Sequence, residues 1–217
     1  MITNIGTVYC IGRNYHEHIK EMSAGHEVSV PQEPVIFLKP ATAIVSSPAR
    51  VTIPEFNGKK ISDNLHHEIE LVVIIGKDGN NIPEDKAMDY IYGYAAGIDL
   101  TLRDLQARAK AAGMPWTLSK GFRGSAPVSD IVARDNVKDV NNLDMLLKVN
   151  NIIRQKANTS QMIFSVGYII HYISSVFGLR KNDVIFTGTP EGVASLKSGD
   201  FLSGEISSVG RVEVVVE

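Results

Sequence analysis

Cysteine is scarce in this sequence, which has one thiol, Cys10, among 217 residues. A single cysteine excludes an internal disulfide framework and a metal cage built from thiolates. Long apolar runs are also missing, since none reaches the roughly 20 residues that a membrane helix needs. The first ten residues have neither the basic start nor the apolar stretch of a secretory signal. We therefore expect a protein of the reducing cytosol that does not enter a membrane.

A surplus of positive charge is missing as well. The formal net charge is -2, and acidic and basic residues are mixed along the chain. Without a basic stripe interleaved with aromatic residues, nucleic acid is excluded as a partner. The length and the 44% hydrophobic content suffice for one sizeable core, so we expect a single domain over residues 1–217.

Short β-rich segments between turn signals dominate the sequence, and we predict an α+β fold that is rich in β-structure. Helices are predicted over 15–22, over 82–91 with Pro83 in the first turn, and over 101–114 with Thr101 as the N-cap. A longer helix is predicted over 160–177 from apolar residues at helical spacing after the segment "NTS".

Two glutamates stand at the head of an aliphatic strand in the segment "HHEIELVVIIG". Side chains two positions apart on a strand point to the same face, so Glu68 and Glu70 project together. An exposed strand edge with two solvated acids is the plain alternative. Because "LVVIIG" is apolar on both faces, a covered central strand is favoured, and adjacent buried carboxylates then require a positive partner.

Asp99 is a third acid, at the end of the predicted strand "YGYAAGIDL" and directly before a helix. Alone it would be a turn or cap residue, but with Glu68 and Glu70 it completes a set of oxygen ligands. Such ligands favour Mg²⁺, Mn²⁺ or Ca²⁺ over zinc. His66 and His67 lie close in sequence, but nothing places them on the ligand face, and we expect structural roles for both.

His18 and Glu21 lie three residues apart on a predicted helix and are neighbours on one face. A carboxylate beside an imidazole can orient the ring and raise its basicity, as in a general base. An ordinary surface pair is the alternative. The helix leads into a loop marked by glycine and proline over residues 23–33, which is typical of a lid that closes over substrate.

Two lysines and one turn complete the candidates. Lys39 in "FLKP" and Lys120 in "LSKGF" each follow apolar residues at a predicted strand end, where an ammonium could stabilise developing negative charge. The turn "TGTPEGV" lacks the lysine and the spacing of a phosphate loop. We expect it to offer backbone N–H groups and the Thr189 hydroxyl to a substrate carboxylate.

Taken in order, six segments resemble the fumarylacetoacetate hydrolase (FAH) family, and in particular its short members of the acylpyruvase and oxaloacetate decarboxylase type. These segments are "IGRNYHEHIKEM", "FLKP", "HHEIELVVIIGK", "GYAAGIDLTLRDLQ", "PWTLSKGF" and "FTGTPEGV". The resemblance spans nearly the whole chain and implies a catalytic domain with a rolled mixed β-sheet, usually a homodimer. It also implies Mg²⁺ or Mn²⁺ as the cofactor, with Ca²⁺ as a substitute.

The resemblance assigns roles residue by residue. It implies metal ligands at Glu68, Glu70 and Asp99, and catalytic groups at His18, Glu21 and Lys120. It implies substrate contacts at Arg13, Lys39, Gln106 and Thr189.

The activity implied by the resemblance is metal-dependent hydrolysis of a C–C bond in an acylpyruvate, such as fumarylpyruvate or acetylpyruvate, through a pyruvate enolate. Oxaloacetate decarboxylation or tautomerisation at the same site is the alternative. Decarboxylation forms the same pyruvate enolate without water attack, and tautomerisation needs only proton transfers. Two other classes remain open. A non-catalytic protein could use the acids as a Ca²⁺ site, and a two-metal phosphoesterase would need more ligands than the sequence offers.

Overall fold

A mixed β-sheet forms the centre of the protein in a computed structural model that describes residues 4–23 and 29–217. The strands are β1 (Val8–Gly12), β2 (Val35–Lys39), β3 (Ile44–Ser46), β4 (Ala49–Val51), β5 (Glu55–Phe56), β6 (Lys59–Lys60), β7 (Leu65–His66), β8 (Ile69–Ile75), β9 (Ile91–Ile98), β10 (Thr101–Leu102), β11 (Ala126–Val128), β12 (Val132–Ala133), β13 (Asp144–Val149), β14 (Ile152–Asn158), β15 (Val184–Phe186), β16 (Phe201–Ile206) and β17 (Gly210–Val216). The α-helices are α1 (His16–Met22), α2 (Arg103–Ala111), α3 (Thr117–Lys120) and α4 (Val166–Val176), and 3₁₀ helices span Ala41–Ala43, Glu84–Tyr90, Arg134–Asn136 and Thr159–Gln161.

The main sheet has the strand order β2-β1-β15-β8-β9-β11-β3, with β12 also paired to β9. Strand β15 runs parallel to β1 and antiparallel to β8, so a strand from late in the chain lies between two early ones. All residues of β8 are buried, which confirms a covered central strand. The predicted β-rich α+β fold is also confirmed.

The second sheet, of order β14-β13-β16-β17-β4, covers one face of the first. Residues Ile69 and Leu71 of β8 join the larger hydrophobic core with Leu147 and Leu202 from this second sheet. Gly204 of β16 lies so close to β8 that a Cβ added to this glycine would be 3.1 Å from Ile69 Cδ1. The sheets therefore leave little room between them, and the even-numbered residues of β8 point to the opposite face.

Helix α4 begins six residues later than the sequence predicted. The segment "NTS" caps the short 3₁₀ helix Thr159–Gln161, where Asn158 forms a capping box with Gln161. Helix α4 starts at Val166 instead, and its N-cap is Ser165, whose Oγ accepts a hydrogen bond from the Tyr168 N–H. The apolar spacing identified the helix correctly, but two capping signals competed for its start.

Two other local predictions were wrong. Thr101 is not an N-cap but lies in β10, which pairs with β7, and α2 begins at Arg103. The helix predicted over 82–91 is a 3₁₀ helix that starts after Pro83. No helix in the described part of the chain has the length and apolar character to cross a bilayer. The single-domain assignment remains a prediction.

Candidate metal centre and catalytic cleft

Three buried carboxylates converge at the ends of β8 and β9. Glu68 directly precedes β8, Glu70 is its second residue, and Asp99 directly follows β9. Because the strands are antiparallel with Ile69 opposite Ile98, Asp99 lies beside Glu68, and its N–H donates to the Glu68 carbonyl at 2.8 Å. One oxygen from each carboxylate lies within 4.8 Å of the other two. The structure thus brings together the trio selected from the sequence.

Lys120 and Arg103 neutralise part of this negative charge. Lys120 Nζ lies 2.5 Å from Glu68 Oε2 and 2.7 Å from Asp99 Oδ2, and Arg103 Nη2 lies 2.6 Å from Glu68 Oε1. Burial alone would raise the pKa of Glu68, but Lys120 and then Arg103 hold it well below its ordinary value. Burial lowers the pKa of Lys120, but Asp99 and Glu68 outweigh that effect and raise it. Lys120 is therefore an ammonium at neutral pH.

Glu70 lacks such a partner. Its Oε2 accepts a hydrogen bond from the Gly188 N–H at 2.7 Å, and no lysine or arginine of residues 4–23 and 29–217 forms an ion pair with it. Burial, followed by the charges of Asp99 and Glu68, raises the pKa of Glu70 well above its ordinary value. Glu70 therefore binds a proton readily unless another positive charge is present.

This donor set fits a hard divalent cation. Asp99 Oδ1 lies 2.8 Å from Lys39 Nζ but without hydrogen-bond geometry, so this buried oxygen keeps a lone pair available within the described structure. Glu70 also has one oxygen outside its bond to Gly188. Three carboxylates in one buried cluster, two of them with an oxygen that accepts no hydrogen bond, are typical of Mg²⁺ and Mn²⁺ sites.

His18 lines the same cleft from α1, and Glu21 lies one turn further along that helix. His18 is buried, and its Nδ1 lies 3.3 Å from Glu21 Oε2. The Glu21 carboxylate also accepts hydrogen bonds from the Gly192 N–H at 3.0 and 3.2 Å. Burial raises the pKa of Glu21, but the hydrogen bonds from His18 and Gly192 lower it overall. A charged Glu21 thus orients the His18 ring. Of the predicted lid over residues 23–33, residues 24–28 lie outside the described residues.

A cleft that is partly open to solvent joins the three acids to His18 and Lys120. Its walls include all three acids, His18 and Lys120, and also the predicted substrate contacts Arg13, Gln106 and Thr189. Arg13 has a φ of +59°, a strained backbone conformation for a residue other than glycine. This local geometry is one that functional sites often retain.

Lys39, unlike the other three predicted substrate contacts, does not line the cleft. Its ammonium is buried, donates hydrogen bonds to the Lys120 carbonyl and to Ser125 Oγ (3.0 Å), and pairs with Asp99. These contacts favour a counter-ion role for Lys39 beneath Asp99. Lys120 ends helix α3 rather than a strand, so its expected local setting was wrong.

The turn after β15 uses its backbone differently from the expectation. The N–H groups of Gly188 and Gly192 donate to the carboxylates of Glu70 and Glu21, and are not directed at a substrate carboxylate. This turn therefore holds a candidate metal ligand and the partner of His18 in place. Thr189, which lies between Gly188 and Gly192 in the sequence, lines the cleft. Its Oγ1 accepts a hydrogen bond from Gln155 Nε2 at 2.9 Å.

Sequence reasoning missed three residues around the cleft: Arg103, Lys110 and Gln155. Arg103 lies three positions before Gln106 on α2 and donates to its Oε1 at 2.6 Å, a helical spacing that could have drawn attention to it. Lys110 lies at the rim of the cleft, with its Nζ 5.1 Å from the centroid of the Trp116 ring. Gln155 lies in the second sheet, and no local sequence signal pointed to it.

His66 and His67 are not among the residues that line the cleft. His66 Nε2 lies 2.9 Å from Asn64 Oδ1, and His67 Nδ1 lies 3.1 Å from Gln155 Oε1. Burial, and then Arg103, lowers the pKa of His66 to about 4, while burial lowers the pKa of His67. Both rings are neutral at physiological pH, in keeping with the structural roles expected for them.

Known protein families and individual proteins are similar to this chain over most of its length. The family described as "Fumarylacetoacetate (FAA) hydrolase C-terminal" matches residues 7–217. The chain is 45% identical over 210 residues to "Oxaloacetate tautomerase FAHD1, mitochondrial" of Arabidopsis thaliana, which covers 97% of this chain and 90% of that protein. The Mus musculus protein of the same name is 46% identical over 202 residues, covering 93% and 87%.

Solved structures are similar over nearly the whole chain. Fumarylpyruvate hydrolase from Pseudomonas aeruginosa, in complex with Mn²⁺ and pyruvate, has a TM-score of 0.90 at 38% identity, covering 98% of this chain and 89% of that one. The 2-hydroxyhepta-2,4-diene-1,7-dioate isomerase from Mycobacterium marinum has a TM-score of 0.81 at 34% identity, covering 98% and 74%.

Proposed function

The chain belongs to the fumarylacetoacetate hydrolase family, and on that premise we propose that it is a divalent-metal-dependent hydrolase that cleaves a C–C bond in an acylpyruvate. The observation that carries the proposal is the meeting of the three-carboxylate cluster, His18 and the Lys120 ammonium in one cleft, with Glu21 paired to His18. These are the parts that water activation and enolate stabilisation require.

Glu68, Glu70 and Asp99 would hold the cation. Mn²⁺ is the ion bound by the similar fumarylpyruvate hydrolase, and we propose Mg²⁺ or Mn²⁺ here, with Ca²⁺ as a substitute that fits the same oxygen ligands. When bound, the ion supplies a Lewis acid that polarises the oxygens of a 2-oxo acid.

The protein's own groups carry the proton transfer. His18, oriented by Glu21, accepts a proton from a water molecule as its oxygen bonds to the distal carbonyl carbon of the acylpyruvate. The C–C bond then breaks, and its electron pair remains on the three-carbon fragment as an enolate. The Lys120 ammonium stabilises that negative charge, and transfer of the proton from His18 to the enolate carbon gives pyruvate beside a carboxylic acid.

The basic rim of the cleft favours substrates with a second carboxylate. Arg13 and Lys110 line the cleft, and neither forms an ion pair with an acid of the described ranges. Arg103 lies near them, although it is paired with Glu68. A distal carboxylate would meet these charges, so fumarylpyruvate and oxaloacetate fit better than acetylpyruvate.

Oxaloacetate tautomerisation, or decarboxylation, is the second candidate. It is favoured by the relatives named oxaloacetate tautomerase, which reach 45% and 46% identity, whereas the fumarylpyruvate hydrolase structure has 38%. Tautomerisation needs proton transfer to and from carbon but no water attack. His18 and Lys120 would serve as base and charge stabiliser in this reaction too.

A substrate panel followed by ultraviolet absorbance tests the proposal. Fumarylpyruvate, acetylpyruvate, both tautomers of oxaloacetate and a phosphate ester are each assayed with Mg²⁺, with Mn²⁺ and after chelation. Pyruvate release from fumarylpyruvate that stops on chelation is the expected result. Turnover of oxaloacetate alone would instead assign the second candidate. A rise in melting temperature with Ca²⁺ and no turnover of any substrate would indicate a binding protein.

We further propose, from the family resemblance, that the protein is a homodimer and works in the cytosol. The relative from Arabidopsis thaliana is named as mitochondrial, so the compartment depends on the type of cell that makes this chain. Sedimentation of the purified protein would measure the oligomeric state directly.

A further inference from the structure

Gln155 connects strand β8, which carries Glu70, to the turn that carries Thr189, and it does so from outside the cleft. It lies on β14 in the second sheet, its side chain is buried, and it is not among the residues that line the cleft. Its Oε1 accepts a hydrogen bond from the Ile69 N–H at 3.0 Å, and Ile69 lies between Glu68 and Glu70 in the sequence. Its Nε2 donates to the Pro190 carbonyl and to Thr189 Oγ1, each at 2.9 Å.

Two of these contacts fix which way the amide points. A backbone N–H can only donate, so the end of Gln155 facing Ile69 must be the oxygen. A backbone carbonyl can only accept, so the end facing Pro190 must be the nitrogen. Both constraints select the same orientation, and a flipped amide would leave two buried backbone groups unpaired.

The direction of the hydrogen bond to Thr189 follows from that orientation. One N–H of Gln155 goes to Pro190 and the other to Thr189, so Thr189 Oγ1 accepts. The Thr189 hydroxyl proton then has no acceptor in the described ranges, and the residue lines the cleft. Thr189 is thereby left as a hydrogen-bond donor to whatever occupies the cleft.

The same orientation fixes the His67 ring. Because Gln155 Oε1 only accepts, His67 Nδ1, at 3.1 Å, must carry a proton. The neutral ring therefore has its lone pair at Nε2, which has no partner in the described structure. The tautomer of His67 reports the direction of the whole network without any substrate being present.

We infer that Gln155 is a positioning residue that makes Thr189 donate a hydrogen bond to an anionic oxygen of the bound 2-oxo acid. Gln155 does not touch the substrate and acts through the threonine. This inference depends on the proposed function, because it takes its ligand class from that proposal. It predicts an energetic coupling between Gln155, in the second sheet, and Thr189, in the turn that follows β15 of the main sheet.

Pyruvate binding to the Mn²⁺-loaded protein measures that coupling. The variants are Thr189→Val, Thr189→Ser, Gln155→Met and the double variant Thr189→Val with Gln155→Met. Gln161→Met, at an exposed glutamine just beyond β14, is the matched control. The Kd for pyruvate and the Kd for Mn²⁺ are measured separately by calorimetry, and folding is checked by thermal unfolding.

We expect Thr189→Val to weaken pyruvate binding roughly ten- to hundredfold, as for loss of a hydrogen bond to a charged group. Thr189→Ser keeps the hydroxyl and loses less. Gln155→Met weakens pyruvate binding in the Thr189 background but adds nothing once Thr189 is valine. A residue that only held the fold together would change the Kd for Mn²⁺ as well, and its effect would add to that of Thr189→Val.

Several results would overturn the inference. They are unchanged pyruvate affinity in Thr189→Val, additive losses in the double variant, or a His67 ring protonated at Nε2 in ¹⁵N spectra of the unaltered protein. The first and last need no Gln155 variant, so they decide the matter even if Gln155→Met fails to fold. If the unaltered protein binds neither Mn²⁺ nor pyruvate, the proposed function fails. Binding of both with no effect of these variants refutes the inference alone.

Discussion

His18 Nδ1 lies 3.3 Å from Oε2 of Glu21, which is one turn further along α1. The Glu21 carboxylate also accepts a hydrogen bond from the Gly192 N–H. The contact orients the imidazole toward the cleft that contains the three acids. Gly192 belongs to the turn after β15, so the position of the ring depends on contacts from residues that are far apart in sequence.

Replacing His18 by alanine should remove hydrolysis of acylpyruvates. Loss of a general base typically lowers the rate by about 10²–10⁴-fold. The measurement is kcat for pyruvate release from fumarylpyruvate with saturating Mn²⁺. His16→Ala is the matched control, because His16 lies on the same helix but is exposed. Equal turnover by the His18 and His16 variants would remove water activation from the mechanism.

Replacing Glu70 by glutamine should stabilise the metal-free protein. The pKa of Glu70 is raised, so the carboxyl favours folding below its unfolded pKa of about 4.3 and costs stability as the pH rises through its native value. Glutamine removes that cost at pH 7 and can still accept from the Gly188 N–H. We expect a melting temperature about 2–4 °C higher, corresponding to roughly 1 kcal/mol in a chain of this size.

The same variant should lose its response to metal. Ligand binding to the native state alone stabilises by about 2.7 kcal/mol at 100 times Kd, and we expect Mn²⁺ to raise the melting temperature of the unaltered protein. Glu70→Gln should show little of this rise. Glu55→Gln, at an exposed site on β5, should behave like the unaltered protein. A full Mn²⁺ response in Glu70→Gln would exclude Glu70 as a ligand.

Lys110 should make substrate preference depend on pH. Partial burial of its ammonium, and then the charges of Arg103 and Arg13, lowers the pKa of Lys110 to about 8. Its positive charge is therefore lost as the pH rises through 8, and KM for fumarylpyruvate should rise there more than KM for acetylpyruvate. Lys110→Gln should raise the fumarylpyruvate KM about two- to fivefold at pH 7, as expected for an exposed ion pair.

Arg108 supplies the control for this experiment, because it lies on the same helix, is exposed and does not line the cleft. Arg108→Gln should leave the ratio of the two KM values and its pH dependence unchanged. If Lys110→Gln raises both KM values equally, the ammonium does not read the distal carboxylate.

The three acids could be selected from sequence because their signals are local. Glu68 and Glu70 share a face through the two-residue period of a strand, and Asp99 follows the next long strand. Antiparallel pairing of neighbouring strands then brings the acids together. The positive partners were harder to assign, since the contacts of Lys39 and Arg103 depend on which elements meet in the folded sheet.

Gln155 shows why the rest of the site could not be predicted. It lies on β14, in a different sheet, and its role depends on the register of that strand against neighbours 34 and 88 residues away. The start of α4 was misplaced for a different reason. Asn158 and Ser165 are both good capping residues, and only the packing around them decides which one begins the α-helix.

The insertion of β15 between β1 and β8 sets an order of events during synthesis. While the first two-thirds of the chain leaves the ribosome, Glu68, Glu70 and Asp99 can already approach each other on one hairpin. Gly188, which holds Glu70, and Thr189, which faces the cleft, follow β15 directly and can take their places only when that strand has paired with β1 and β8. We therefore expect the three acids to come together before the rest of the site, and substrate binding and activity to appear only after β15 has been synthesised and paired.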